Sequence, residues 1–269
     1  MNNPVEILYI IGAGHCGSTL LNLCLDRHSS VIGVSEIITL NSKNPDWTSD
    51  NFLLKNSFWS RVDQKMSEKY GYRITEVPFK LNKKLKHDGV ANQCNKAALE
   101  IILKISEKRI IADSSKNSKR LSALLGNPLF KVRVIYLVRD GRGIVNSYRR
   151  KYKNWWTGWY KLLQTDYAVS RLMALHGSDN WLTVRYEDMV SNLEVTMQKI
   201  CNFTGINFEP SMLHPNTLDF NGISGNRIVT RPIDKIQLDT AWKSEMSKLM
   251  QAFISLVVYR FNLKYGYRK

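Results

Sequence analysis

The sequence is short of acid and of cysteine. Of its 269 residues only 23 are Asp or Glu, against 39 Lys or Arg, a formal charge of +16. Such an imbalance implies an anionic partner: nucleic acid, an acidic surface or a phosphorylated ligand. Composition does not choose among these. The four cysteines, Cys16, Cys24, Cys94 and Cys201, form no CxxC pair and have no histidine-rich neighbour. A zinc site of the finger or ribbon type is therefore excluded, and free thiols in a reducing compartment are the expected state. Long apolar runs are missing too. The longest, near 7–13 and 252–259, are too short to span a membrane. The opening MNNPVEILYI lacks the basic n-region and cleavage site of a signal peptide. A cytoplasmic protein with no membrane partner is the expectation. No internal repeat or low-complexity segment is visible. With 43% hydrophobic residues the chain can build a sizeable core, and one domain over residues 1–269 is expected.

What is present is a series of strand–loop–helix units. VEILYII (5–11) is a short β-branched apolar run, which reads as a buried parallel strand. GAGHCG follows, and then STLLNLCLDRH places Leu20, Leu21, Cys24 and Leu25 at helical spacing, so a helix starts near Ser18. RIIADSSK (109–116), VRVIYLVRD (132–140) and NWLTVRYEDM (180–189) read as three further strands with polar ends. Residues 191–205 read as a helix stopped by Gly205, 211–236 as loop-rich, and 237–261 as helical. Alternation of this kind predicts an α/β fold with a central parallel sheet flanked by helices. Ligands of such sheets bind beyond the carboxyl ends of the strands, where GAGHCGST, DSSK, VRDGR and RYED fall.

One lysine is conspicuously absent. Gly12 and Gly17 are separated by four residues, as in the phosphate-binding loop GxxxxGK[ST], but Ser18 stands where the lysine would be. Gly12, Gly14 and Gly17 permit close backbone approach. Successive N–H groups at a helix N-terminus, with the hydroxyls of Ser18 and Thr19, make an anion site. Without the lysine a magnesium–triphosphate cradle is disfavoured. In VRDGRGIVNSYRRK, Arg139 at a strand end can fork onto a phosphate and Ser147, eight residues on, can complete its shell. A plain ion pair of Arg139 with Asp140 fits that spacing equally well.

Taken together, GxxxxG[ST]T after the first strand and RDxRxxxxS after a later one resemble the sulfotransferases that use 3′-phosphoadenosine 5′-phosphosulfate. RYEDMVSNLEVTMQKICNFTGI, GNR (225–227) and the ending LKYGY resemble later segments of the same family, in its order. The resemblance covers most of the chain except roughly 40–108. It implies a P-loop-like sulfotransferase fold and an enzyme that uses this donor, needs no metal and releases adenosine 3′,5′-bisphosphate. It implies that Gly14, His15, Cys16, Gly17, Ser18 and Thr19 hold the 5′-phosphosulfate. Arg139, Ser147 and Arg227 would hold the 3′-phosphate, and Tyr186 of the YED segment would join the donor site. Glu36 in VIGVSEI falls where protein-tyrosine members carry their base. His87, in the lysine run 80–87, is the second choice, since cytosolic small-molecule members use a histidine.

His15 departs from the family pattern, which has Lys or Arg there. Histidine can still donate a hydrogen bond, and Lys116 of DSSK can supply a fixed charge. Asp113 and Ser114 are candidates to orient Lys116 or the acceptor. Trp155, Trp156 and Trp159 form an aromatic cluster that either walls the acceptor pocket or packs in the core. The form GxGHxGSTLL resembles bacterial and cyanobacterial enzymes that tailor small natural products, including saxitoxin-type alkaloids. A small-molecule acceptor is therefore expected, with N-sulfation, or sulfation of a saccharide or a protein tyrosine, as alternatives. A nucleic-acid or polyanion-binding module is the reading of a different class, although no RNP, zinc-finger or helix-turn-helix pattern supports it.

Overall fold

The computed structural model describes residues 3–41, 56–80, 89–217, 220–223 and 236–267. Five strands form one sheet: β1 (Val5–Ile11), β2 (Val31–Ser35), β3 (Ile110–Asp113), β4 (Phe130–Val138) and β5 (Trp181–Arg185). Their order is β2-β3-β1-β4-β5, and β3 pairs parallel with both β1 and β2. The fold is α/β, as the alternation predicts. By compactness the chain divides into two units. The first comprises Met1–Ile10, Thr19–Val134 and Phe208–Ile233; the second comprises Ile11–Ser18, Ile135–Asn207 and Asp234–Lys269.

In the first unit, β1 runs inside the sheet, so nearly every side chain of VEILYII is buried. That is why the run is continuous rather than alternating. Helices α1 (Ser18–Asp26), α2 (Ser57–Tyr70), α3 (Gly89–Ser106) and α4 (Ser118–Leu124) belong here. Trp59 of α2 is fully buried and donates its indole N–H to the Asn221 carbonyl at 2.6 Å. The strand that pattern reading misses is β2. It has five residues with a glycine in the middle, too short to show a period. Gly33 is needed there because a Cβ would stand 2.4 Å from Asn22 Oδ1.

The second unit carries α5 (Gly141–Tyr152), α6 (Trp155–His176), α7 (Tyr186–Ser191), α8 (Leu193–Thr204), α9 (Trp242–Glu245), α10 (Lys248–Val257) and α11 (Tyr259–Lys264). Gly205 closes α8 with φ 75°, the stop expected of it. The strand expected over 180–189 is shorter than its apolar pattern suggests: Tyr186 already begins α7. The helix expected over 237–261 is broken into three, and the Ser247 side chain caps α10 by accepting from the Met250 N–H. Among the described residues no helix is long and apolar enough to cross a membrane.

Candidate active site

In the second unit the two loops singled out in the sequence come together. Arg139, at the end of β4, donates from Nη1 to the His15 carbonyl at 2.8 Å. Its guanidinium lies over the Tyr186 ring, 4.6 Å from the centroid. The same ring packs under the glycine loop: at Gly17, with φ 98°, a Cβ would meet it at 2.5 Å. Loop, arginine and tyrosine are thus one packed cluster. A residue with a side chain at position 17 would both strain the backbone and push Tyr186 away.

The spacing of the second motif also has a geometric cause. A Cβ at Gly143 would stand 3.1 Å from Arg139 Nε, so the arginine lies along the first turn of α5. Ser147 is four residues further, on the same helix face, and is buried with Arg139. The alternative pairing of Arg139 with Asp140 is not what forms. Asp140 instead caps α5 by accepting the Arg142 N–H at 2.9 Å, and takes a forked ion pair from Arg142 whose shortest contact is 2.7 Å. Arg142 in turn stacks on Trp242, 4.3 Å from the ring centroid. The carboxylate partner of Arg139 is Asp239, at 3.0 Å. Nothing in the sequence pattern around Asp239 marks it, because the pairing joins residues a hundred positions apart.

His15 has φ 65°. Its ring meets Tyr148 edge-on, with centroids 5.0 Å apart, and lies 6.1 Å from that of Tyr152. Cys16 is fully buried, in line with a small packing residue, while Gly14 and Thr19 are partly exposed. Trp155 stacks on Trp156 at 4.0 Å, and Trp156 is more than half exposed, so this member of the tryptophan cluster is not core.

In the first unit, Glu36 and Lys116 form an ion pair through Glu36 Oε1. Each is held by its backbone. Glu36 follows β2, and its N–H donates to the Ile223 carbonyl at 3.0 Å. Lys116 sits at φ 53° between two fixed neighbours. Ser115 N–H donates to Asp113 Oδ1 at 2.9 Å, and Asn117 is bound on both sides by the buried Tyr9 hydroxyl. That hydroxyl donates to the Asn117 carbonyl at 2.9 Å and accepts its N–H at 3.0 Å. Burial, then the nearby Asp113 charge, raises the Tyr9 phenol well above its ordinary value, so it keeps the proton this double role needs.

Asp113 acts on the Lys116 backbone through Ser115 and has a second partner as well. Its Oδ2 is taken by Arg120 at 2.8 Å, and both residues are 0% exposed. Arg120 also donates to the Phe79 carbonyl and Asn95 Oδ1 at 2.9 and 2.8 Å. Ser114 donates its N–H to the Ser35 carbonyl at 2.8 Å and serves β2. Arg227 and His87 lie outside the described residues. Among the described residues no group of His, Cys, Asp or Glu could hold a metal ion.

Residues 8–210 match the profile of the Sulfotransferase family. Among curated proteins, the protein-tyrosine sulfotransferase of Drosophila melanogaster is 25% identical over 228 residues, 79% of this chain and 40% of that protein. Protein-tyrosine sulfotransferase 1 of Danio rerio is 24% identical over 81% of this chain and 58% of its own length. The chain thus spans about half the length of these relatives. Among solved structures, the sulfotransferase domain of the Synechococcus PCC 7002 olefin synthase matches with TM-score 0.62 and 19% identity, covering 100% of this chain and 97% of that one. The sulfotransferase domain of the curacin biosynthetic pathway matches with TM-score 0.60 and 15% identity, covering 97% and 99%. Both show a shared fold.

Proposed function

This chain belongs to the sulfotransferase family, and from that premise we propose that it moves a sulfuryl group from 3′-phosphoadenosine 5′-phosphosulfate to an acceptor hydroxyl, releasing adenosine 3′,5′-bisphosphate. The observation that carries the donor assignment is the Arg139–His15 hydrogen bond, which unites the phosphate-type loop with the arginine motif. A resident anion also supports it: Asp239 places a carboxylate on Arg139, so the arginine is oriented to receive one. The loop from Gly14 to Thr19 would hold the 5′-phosphosulfate. Arg139, Ser147 and Arg227 would hold the 3′-phosphate, beside Tyr186. The donor supplies an activated sulfuryl group, and no metal is assigned.

Glu36 is proposed as the base that takes the acceptor proton as oxygen attacks sulfur and the bond to the bridging oxygen breaks. Its ion pair with Lys116 holds the carboxylate in a defined orientation. Lys116, with His15, is proposed to stabilise the charge that develops on the departing phosphate.

For the acceptor we propose a hydroxyl of a small natural product. Saxitoxin-type guanidinium alkaloids are the finer assignment that GAGHCGSTLL suggests. The second reading, a protein tyrosine, is supported by the curated relatives.

The test begins with the thermal midpoint in adenosine 3′,5′-bisphosphate and, separately, in Mg·ATP. A rise with the bisphosphate alone is expected. A rise with Mg·ATP alone would overturn the reading. Mass spectrometry of guanidinium alkaloids, phenols and tyrosine peptides incubated with enzyme and donor then assigns the acceptor class. Oligonucleotide affinity that collapses with salt, with no response to the bisphosphate, would favour a polyanion-binding module instead.

A further inference from the structure

The arginine assigned to the 3′-phosphate already holds an anion, and that anion is part of the chain. Asp239 Oδ2 lies 3.0 Å from Arg139 Nη2 and 3.7 Å from Arg150 Nη2. The Asp239 carbonyl accepts a further bond from Arg139 Nη2 at 3.1 Å. The residue is set in place by its own backbone: its N–H donates to the Tyr186 hydroxyl at 3.3 Å, and Oδ1 accepts the Ala241 N–H at 3.1 Å. Two guanidinium groups converging on one carboxylate oxygen is the arrangement a phosphate oxygen takes up. Burial works to raise this carboxyl, but the hydrogen bond and charge of Arg139 outweigh it and hold the group below the usual carboxylate range.

Resting on the donor-site reading above, we propose that Asp239 is an internal competitor for the 3′-phosphate, occupying Arg139 until that phosphate displaces it. The exchange is selective by charge. A phosphate monoester brings about −1.5 to −2 charges and three acceptor oxygens, whereas the carboxylate brings one charge and two. A nucleotide without a 3′-phosphate offers Arg139 nothing in return and leaves the pair closed. Tethered to the chain, the carboxylate also acts at high effective concentration when the product leaves. Asp239 therefore lowers affinity for the bisphosphate and hastens its release, while widening the gap between nucleotides with and without the 3′-phosphate. Its position fits exchange: the carboxylate is 32% exposed and reached by water.

Calorimetric titration of adenosine 3′,5′-bisphosphate and adenosine 5′-monophosphate, at one ionic strength, tests this on the wild-type chain, Asp239→Asn, Arg139→Gln and the double variant. Asp239→Asn keeps an acceptor for the Ala241 N–H and removes the charge. It should bind the bisphosphate about tenfold tighter and the monophosphate as before, and stopped-flow release of the bisphosphate should slow. In the Arg139→Gln background the same change should do nothing. Unchanged or weaker bisphosphate binding by Asp239→Asn, with the wild type still preferring the bisphosphate, would overturn the competitor and leave the donor site standing. Wild type and Arg139→Gln binding both nucleotides alike would overturn the donor-site reading and the competitor with it. Asp239→Ser is the second variant if the asparagine form does not fold.

Discussion

Two arginine–carboxylate pairs of nearly equal length do opposite things in this molecule. Arg120 and Asp113 meet at 2.8 Å with neither side chain exposed, and the arginine is tied further to Phe79 and Asn95. Arg139 and Asp239 meet at 3.0 Å, with side chains 7% and 32% exposed. Distance does not separate them; access does. A sealed pair cannot trade its partner, because a guanidinium or carboxylate left alone in the interior has no water to replace it. A pair open on one side can exchange its anion for another. Only the second kind suits a ligand site, and the first is better read as a pin that seats α4 after β3.

The comparison can be broken at four points. Replacing Arg120 with Met leaves Asp113 buried and unpaired. It should cost about 3–5 kcal/mol, read as a lowered denaturation midpoint in urea at unchanged slope. If Arg120→Met melts like the wild type, the pair is no pin. Glu36→Gln removes the proposed base from its ion pair with Lys116. It should lower kcat by roughly 10²–10⁴-fold while adenosine 3′,5′-bisphosphate affinity stays put. A turnover within a factor of two of wild type would remove Glu36 from that role.

Arg139→Gln should weaken bisphosphate binding by roughly 10–100-fold, the scale of a lost charged hydrogen bond, with a smaller loss of stability than Arg120→Met. Equal destabilisation in the two variants would erase the distinction between the sealed and the open pair. The smallest effect concerns Asp26. Burial raises its carboxyl, against the pull of Lys108 and of the Gly33 N–H, which it accepts at 2.7 Å. The folded state therefore holds this proton to higher pH than the unfolded chain. Stability should fall as pH rises from the ordinary carboxylate value through the raised one. Asp26→Asn should flatten that slope in a pH series of urea midpoints.

The residues that local chemistry dictates were legible in the sequence. The glycine loop, the helix after it and the α/β alternation follow from β-branched runs, glycines and helical spacing. The spacing of Arg139 and Ser147 was legible too, and Gly143 explains it, since the bare first turn of α5 makes room for the guanidinium. What stayed hidden depends on partners remote in sequence. Arg120 reads as one more base in a basic chain until Asp113 and Asn95 enclose it. Asp239 reads as a loop residue until Arg139 reaches it. β2 was hidden because five residues around a glycine carry no period, yet it delivers Glu36.

Among the described residues, five that are not glycine hold a left-handed backbone, His15, Ser35 and Lys116 among them. Each such residue costs on the order of 1–2 kcal/mol relative to an ordinary conformation. Glycine would relieve that cost at any of the three, and at Ser35 it would leave the side chain of Glu36 untouched. A directed-evolution library screened only for heat resistance should therefore drift toward glycine at 15 and 116, discarding an imidazole and an ammonium in the process. The same library screened for turnover should hold both positions and still accept glycine at 35.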